Sequence, residues 1–229
     1  MKVCAIGDIH CTNKFFECYN NILKNDNDCD KIIVHGDHFD PYINVSIEEA
    51  IEKYNEFIQI SKEDGRIVSL LGNHDLSYYI ISGDKTSRTS VWNGRKIREC
   101  ILPNLSTSYL CYFINDYVFS HAGVSQDWMD TLSIDNEHRI LSNYTGWTES
   151  ELERLTSFYP YDHSCYGDHT LQGPTWIRPT ALINNPFSDF NQVVAHTRVK
   201  EINKVKMSNN KDLWMIDDAG KPNYLVIDI

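Results

Sequence analysis

Three apolar runs early in the chain each stop at a glycine and then present side chains able to bind a metal. Val3-Cys4-Ala5-Ile6 leads into Gly7-Asp8-Ile9-His10, Ile32-Ile33-Val34-His35 into Gly36-Asp37-His38-Phe39-Asp40, and Arg66 to Leu71 into Gly72-Asn73-His74-Asp75. Short apolar runs bounded by turn residues predict buried strands. Between the first two, Asn13 to Asn25 carries Phe15, Phe16, Tyr19, Ile22 and Leu23 at roughly helical spacing, with Asn13 placed to cap. Between the second and third, Ser46-Ile47-Glu48-Glu49 has capping-box spacing. Ile47, Ile51, Tyr54 and Ile58 predict one apolar helix face, stopped by Gly65. The result is three successive β-α units, each delivering polar groups to the carboxyl edge of a sheet, where α/β proteins keep their ligands. One such ending is an ordinary polar loop; three in succession predict a site.

Glycine at each strand end lets the backbone bend and aim neighbouring side chains together. In an extended segment, residues two apart share a face, so Asp8 and His10 can point the same way. From Leu76 to Asn104 the periodicity fades, and Lys85, Arg88, Arg95, Lys96 and Arg98 make a basic segment. It reads either as a solvated helical insertion or as a cap that meets an anionic substrate. Tyr109 to Phe119 predicts a β-hairpin around Asn115-Asp116, running into Ser120-His121-Ala122-Gly123. Thr148-Glu149-Ser150-Glu151 is a second capping box. Tyr159 to Gly173, rich in Tyr, His, Asp and Gly without a period, predicts a loop near a site. Gln192 to Ala195 is a strand ending at His196-Thr197-Arg198, and Leu213–Ile216 and Tyr224–Ile227 predict two closing strands, with Gly220 and Pro222 punctuating the turn between them. No repeat, low-complexity tract or linker interrupts the 229 residues, which predicts one domain over 1–229 with an insertion at about 76–104.

Composition narrows the classes of function. An apolar fraction of 41 % is that of a globular protein. No run of ~18 apolar residues could span a bilayer. The carboxylate of Asp8 falls where a signal peptide needs its apolar core, so the expectation is a soluble, cytoplasmic protein with no membrane partner. Cys4, Cys11, Cys18, Cys29, Cys100, Cys111 and Cys165 are odd in number and contain no Cys-x-x-Cys pair, which argues against a disulfide framework and a zinc knuckle. A net charge of −11 argues against a broad nucleic-acid groove. It leaves phosphate substrates open, because bound cations reverse a local field.

The strand-end groups Asp8, His10, Asp37, Asp40, Asn73, His74, His121 and His196 are all oxygen or imidazole donors. That set suits Mn²⁺, Fe or Zn and not a thiolate site. It exceeds what one ion with an open position needs. A pair of ions ~3.5–4 Å apart, sharing a carboxylate, would use it.

The order Gly-Asp-x-His, Gly-Asp-x-x-Asp, Gly-Asn-His-Asp, His-Ala-Gly and His-Thr resembles the calcineurin-like metallophosphoesterases, specifically the serine/threonine phosphatase branch with bacterial and phage members, over nearly the whole chain. The resemblance implies an α/β fold, a four-layer α/β/β/α sandwich with two mixed sheets flanked by helices. It implies that Asp8 and His10 hold a first metal, that Asp37 bridges, and that Asn73, His121 and His196 hold a second. It implies that a hydroxide between two ions, most readily manganese with iron or zinc as alternatives, attacks phosphorus in line. His74 would then protonate the leaving alcohol, oriented by Asp40, whose carboxylate would raise the imidazole pKa. The implied substrates are phosphoserine or phosphothreonine proteins, small phosphoesters and nucleotides. Relatives with the same motifs hydrolyse dinucleoside polyphosphates such as diadenosine tetraphosphate, and one member of the fold serves as an inactive binding scaffold.

The chain departs from the pattern at two places. Pro41-Tyr42 follow Asp40 where the family's phosphatases usually carry arginine and glycine, and Leu71 precedes Gly72 where many bacterial and phage enzymes carry arginine. Arg178, in Trp-Ile-Arg-Pro, is the remaining candidate to face the phosphate. Arg198, directly after His196-Thr197, is a second, although a structural ion pair would equally account for it. Ala195 stands before His196 where glycine is usual, a small enough change to be tolerated. His35, His38, His138, His163 and His169 are set aside, with His169 the substitute should His196 lie elsewhere.

Overall fold

The computed structural model describes residues 1–42, 44–80, 93–158, 167–218 and 220–229. Lys85, Arg88, His163 and most of the loop expected from Tyr159 lie outside them. The first half of the chain alternates as its pattern predicts: β1 (Lys2–Ile6), α1 (Lys14–Asn25), β2 (Lys31–Val34), α2 (Ile47–Glu63) and β3 (Ile67–Ser69). The strands pair in parallel, Val3 opposite Lys31 and Ile32 opposite Ile67, because each helix returns the chain to the same edge. The last strand, β9 (Leu225–Asp228), joins β1 antiparallel, which gives the order β3-β2-β1-β9.

Side chains on these strands alternate between two cores, as a period of two requires. Cys4, Ile6, Ile32 and Val34 turn outward onto Phe15, Cys18 and Ile22 of α1 and Ala50, Tyr54 and Phe57 of α2. The face buried by α2 is therefore turned from the one its aliphatic residues predict, with Ile47, Ile51 and Ile58 packed along its flank. Ser46 caps α2 by accepting the Glu49 N–H, whereas Asn13 occupies the N-cap of α1 without a side-chain hydrogen bond.

After β3 come α3 (Asn73–Tyr79), α4 (Gly94–Ile101) and a 3₁₀ turn at Leu102–Thr107. The basic residues of α4 are each met by an acid: Arg95 by Glu99 at 2.9 Å, Lys96 by Glu48 at 3.3 Å and Arg98 by Glu149 at 3.0 Å. The hairpin of β4 (Cys111–Ile114) and β5 (Tyr117–Ser120) turns through Asn115 at φ 53°. Four helices follow: α5 (Gln126–Asp130), α6 (Ile134–Leu141), α7 (Glu149–Thr156) with its complete Thr148/Glu151 capping box, and α8 (Pro179–Asn184). The chain then forms β6 (Asn191–Val194), β7 (Asn203–Lys206) and β8 (Asp212–Met215), building a second mixed sheet in the order β4-β5-β6-β8-β7. Strand β7 escapes the sequence pattern because it is a polar, lysine-bearing edge strand.

The two sheets stack. Val3, Ala5, Ile33, Val68 and Leu70 of the first meet Phe119, Val193, Ala195 and Ile216 of the second. The outer face of the second sheet is covered by Trp128, Met129, Ile140, Leu152 and Leu155 near β5, and by Ala181 and Leu182 near β8. Helix, sheet, sheet and helix layers follow from this packing. Strands β8 and β9 are neighbours in sequence but lie in different sheets, so the segment from Asp217 to Asn223 crosses between the layers.

That crossing is tied down by a buried ion pair. Lys14 Nζ lies 3.1 Å from Asp218 Oδ1 with both side chains 0 % exposed, and Asn223 donates to the other carboxylate oxygen at 2.7 Å. Removing one partner of such a pair leaves an uncompensated buried charge. Lys14→Met is expected to destabilise the chain by about 3 kcal/mol or more, and Lys14→Met/Asp218→Leu by far less, measured by urea unfolding.

Candidate metal centre

The three motifs end strands β1, β2 and β3 side by side, and their glycines serve different ends. Gly36 sits at φ +82°, a left-handed bend that excludes a side chain. Gly72 has ordinary backbone angles, but a Cβ there would lie 2.0 Å from Asp37 Oδ1, and one at Gly7 would lie 2.7 Å from the Ile216 carbonyl of the other sheet. Close approach, not flexibility, requires glycine at these two positions. Beyond the glycines the backbone is strained: His10, Cys11, Asp37, Asp40 and His196 have φ of 45°, 57°, 51°, 60° and 59°. Left-handed residues other than glycine persist where surrounding bonds over-determine them, and they gather at functional sites.

Asp75 supplies those bonds. From the first turn of α3 its carboxylate accepts the N–H groups of Gly72 at 3.1 Å, Asp37 at 2.8 Å and His38 at 2.8 Å. Asp37 Oδ1 in turn accepts the His74 N–H at 2.9 Å. The His10 N–H donates to the Asp37 carbonyl at 2.7 Å, so all three strand ends are locked together.

Three of the imidazoles have one nitrogen committed outside the pocket. His121 Nδ1 donates to the His35 carbonyl at 2.7 Å, His10 Nδ1 to the Phe39 carbonyl at 2.9 Å, and His74 Nδ1 to Asp40 Oδ2 at 2.7 Å. The carbonyl acceptors leave Nε2 of His10 and His121 directed into the pocket, and the Asp40 carboxylate behind His74 directs its Nε2 there as well. His121 Nε2 faces Asn73 Oδ1 at 3.0 Å and Asp37 Oδ2 at 3.5 Å. His10 Nε2 faces Asp37 Oδ2 at 3.6 Å and Asp8 Oδ2 at 3.7 Å, and His74 Nε2 stands 4.0 Å from Asp37 Oδ2. His196 Nε2 is buried without a hydrogen-bond partner, its ring 5.0 Å from that of His121. Lone pairs that converge with no proton between them are what a cation satisfies, and ligand histidines characteristically give their other N–H to a carbonyl or carboxylate. In each of two groups of donors among the described residues, His10/Asp37/His74 and Asp37/His121/His196, the ligand atoms lie within 4.8 Å of one another, and Asp37 is common to both. The residues present fit a bound divalent metal.

Burial and neighbouring charges set the titration of the metal-free pocket. Burial, followed by the charge of Asp8, pushes the Asp37 carboxyl well above the usual carboxylate range. Burial acts the same way on Asp8, but the imidazoles of His121, His10 and His196 outweigh it and hold that carboxyl far down. Burial, then the Arg178 guanidinium, pushes His196 well below the ordinary histidine value, as suits a neutral ligand. Burial would lower His10 too, yet Asp8 and Asp37 bring it up to about 9.

Thus Asp8, His10, Asp37, Asn73, His74, His121 and His196, dispersed in the sequence, share one pocket, with Asp40 directly behind His74. The Asp8–His10 pairing does not come from strand alternation: β1 ends at Ile6, and the turn at His10 brings the two together. Arg178 Nη1 donates to Thr197 Oγ1 at 3.0 Å and to the His196 carbonyl at 3.4 Å. Arg198 lies over the Tyr42 ring at 3.3 Å, a stacking contact and not an ion pair, and Tyr42 meets His10 edge-on at 4.6 Å. His169 accepts the Leu171 N–H at 3.1 Å, a local turn contact. Sequence reasoning missed Asp75, whose motif it quoted without a role, and His35, whose carbonyl orients His121. It also missed Tyr42 and Trp176, whose ring stands 5.9 Å from that of His196. An aromatic residue carries no signal of this kind until its neighbours are known.

Two stacked mixed sheets thus carry a buried oxygen and imidazole cluster able to hold a metal at their strand ends. Residues 1–226 match the profile of the calcineurin-like phosphoesterases, and the chain belongs to that family. Compared by sequence with curated proteins, it finds no significant match. Among solved structures it is similar to the cold-active protein-tyrosine phosphatase of a psychrophilic Shewanella species, at 18 % identity and a TM-score of 0.60 over 96 % of this chain and 72 % of that one. It is also similar to a protein serine/threonine phosphatase from Saccharomyces cerevisiae, at 13 % identity and a TM-score of 0.52 over 94 % of this chain and 66 % of that one. At these identities the likeness is one of fold. Among the described residues no helix is long and apolar enough to cross a membrane.

Two outcomes test the centre. Asp75→Ala strands three buried N–H groups and is expected to cost about 3 kcal/mol or more in urea unfolding. A divalent cation at about 100 times its Kd should stabilise the folded chain by about 2.7 kcal/mol, read as a rise in Tm over the chelated protein, and Asp37→Asn should remove most of that rise.

Proposed function

We propose that the chain hydrolyses phosphomonoesters with two divalent cations, manganese before iron or zinc, acting on phosphoproteins or small phosphoesters. The observation that carries this reading is Asp37, common to both donor groups, beside an imidazole backed by its own carboxylate. Asp8, His10 and Asp37 would hold one ion, and Asp37, Asn73, His121 and His196 the other. Bound there, the cations would supply Lewis-acid polarisation of the phosphoryl group and a nucleophile from water at neutral pH.

The remaining work falls to the chain. His74 holds a proton at Nε2 and gives it to the leaving oxygen as the P–O bond breaks, while Nδ1–H stays on Asp40. Arg178 and Arg198 are the candidates to grip the phosphoryl oxygens in a chain that lacks the arginines usual at positions 41 and 71. Arg178 is anchored through Thr197, and Arg198 is steadied by the Tyr42 face. The similarity to a protein-tyrosine phosphatase adds phosphotyrosine to phosphoserine and phosphothreonine as substrates to test.

Substrate profiling of the manganese-loaded protein across phosphopeptides, nucleotides, diadenosine tetraphosphate and p-nitrophenyl phosphate tests the reading. Turnover is expected on monoesters and lost in Asp37→Asn; symmetrical cleavage of the dinucleotide without monoester turnover would replace it. His74→Asn should lower turnover of alkyl phosphates by about 10²-fold or more while leaving cation-dependent stabilisation intact. Loss of that stabilisation instead would make His74 a ligand.

A further inference from the structure

The His74–Asp40 pair has a third member. Tyr78 stands four residues after His74, one turn along the same face of α3. Its hydroxyl donates to Asp40 Oδ1, while Asp40 Oδ2 accepts the His74 Nδ1–H at 2.7 Å. All three side chains are buried. The Tyr78 ring is fixed from the interior: it belongs to the core shared by α1, α2 and α4 and meets the Phe39 ring at 6.1 Å. Phenylalanine would fill that core equally well, so packing alone does not account for the hydroxyl.

Hydrogen bonds to both oxygens of a carboxylate hinder its turning about the Cβ–Cγ bond, a torsion with broad wells. Asp40 comes from a turn at φ 60°, with no strand or helix to steady it. A second donor on the other oxygen sets the carboxylate plane, and that plane sets the imidazole. We propose that Tyr78 is a positioning residue for phosphoester cleavage, holding the His74 ring through Asp40 so that Nε2 faces the leaving oxygen. The proposal rests on His74 as the proton donor. Tyr78 and Asp40 gain and lose no proton in the step; the proton passes from His74 Nε2 to the leaving oxygen and is replaced from water.

The consequence is selective. An alkyl alkoxide cannot leave without a proton, whereas p-nitrophenolate can. Tyr78→Phe, His74→Asn and wild type, each the full manganese-loaded chain, are compared on p-nitrophenyl phosphate and 2-glycerol phosphate. For Tyr78→Phe we expect kcat on the alkyl ester to fall about tenfold and on the aryl ester less than about twofold, with KM unchanged. In the Asp40→Asn background the same change should add less than about twofold, because the path it acts through is already broken.

A readout without turnover accompanies these. In the metal-free protein, the downfield proton resonance that disappears in His74→Asn, assigned to Nδ1–H, should broaden or shift upfield in Tyr78→Phe. Equal losses on both esters, no loss on either, additive losses with Asp40→Asn, or an unmoved resonance would each overturn the proposal. If His74→Asn is itself unselective, the reading of His74 fails and takes the proposal with it. If His74→Asn is selective and Tyr78→Phe is not, this inference alone falls. Thermal unfolding of each variant sets the assay temperature below its Tm.

Discussion

The Asp75 carboxylate, buried and accepting three backbone N–H groups, is the contact on which the rest of the site depends. It joins the turn after β2 to the turn after β3 and holds Asp37 in a left-handed conformation that only glycine adopts freely. With that turn fixed, Asp37 Oδ1 is occupied by the His74 N–H and Oδ2 is left facing His10, His74 and His121. One buried carboxylate thus shapes the other. A charge so placed is tolerable because its bonds are charge-assisted and several.

The pocket is arranged at a cost that a cation removes. Two buried carboxylates, Asp8 and Asp37, face imidazole lone pairs whose N–H groups have been drawn away by the carbonyls of His35 and Phe39. Those carbonyls belong to the same strand-end turns as the donors, so the backbone that brings the ligands together also selects their tautomers. His35 is itself buried between the sheets, its ring 3.1 Å from the Ile6 carbonyl and 3.2 Å from that of Val193. Burial pushes it down to about 4, so the neutral ring donates to only one of the two. It links the layers and orients His121 through its main chain.

The surroundings of the pocket draw on distant parts of the sequence. Tyr42, in the segment that follows Asp40, receives Arg198 from the segment between β6 and β7, and Trp176 reaches His196 from just before α8. Position 42 therefore contributes a surface on which a guanidinium rests, next to Pro41, where the chain has no arginine. Tyr42 stands against His10 and Trp176 against His196.

Much of this was legible in the sequence, for particular reasons. The βαβαβ half shows itself because each strand is buried on both faces and reads as a continuous apolar run, closed by glycine. The helices α3, α5, α6 and α8 are short and carry little period to detect, and β7 is a polar edge. What the sequence by itself determined was local: which residues form strands, where glycine must stand, and that the donors offered are oxygen and imidazole. Only the tertiary structure decided that β8 and β9 part into different sheets, that Asp75 closes the gap between two turns, and that Tyr78 reaches Asp40. Those contacts join residues far apart along the chain, and their geometry comes from the packing of one sheet on another, which no periodicity encodes.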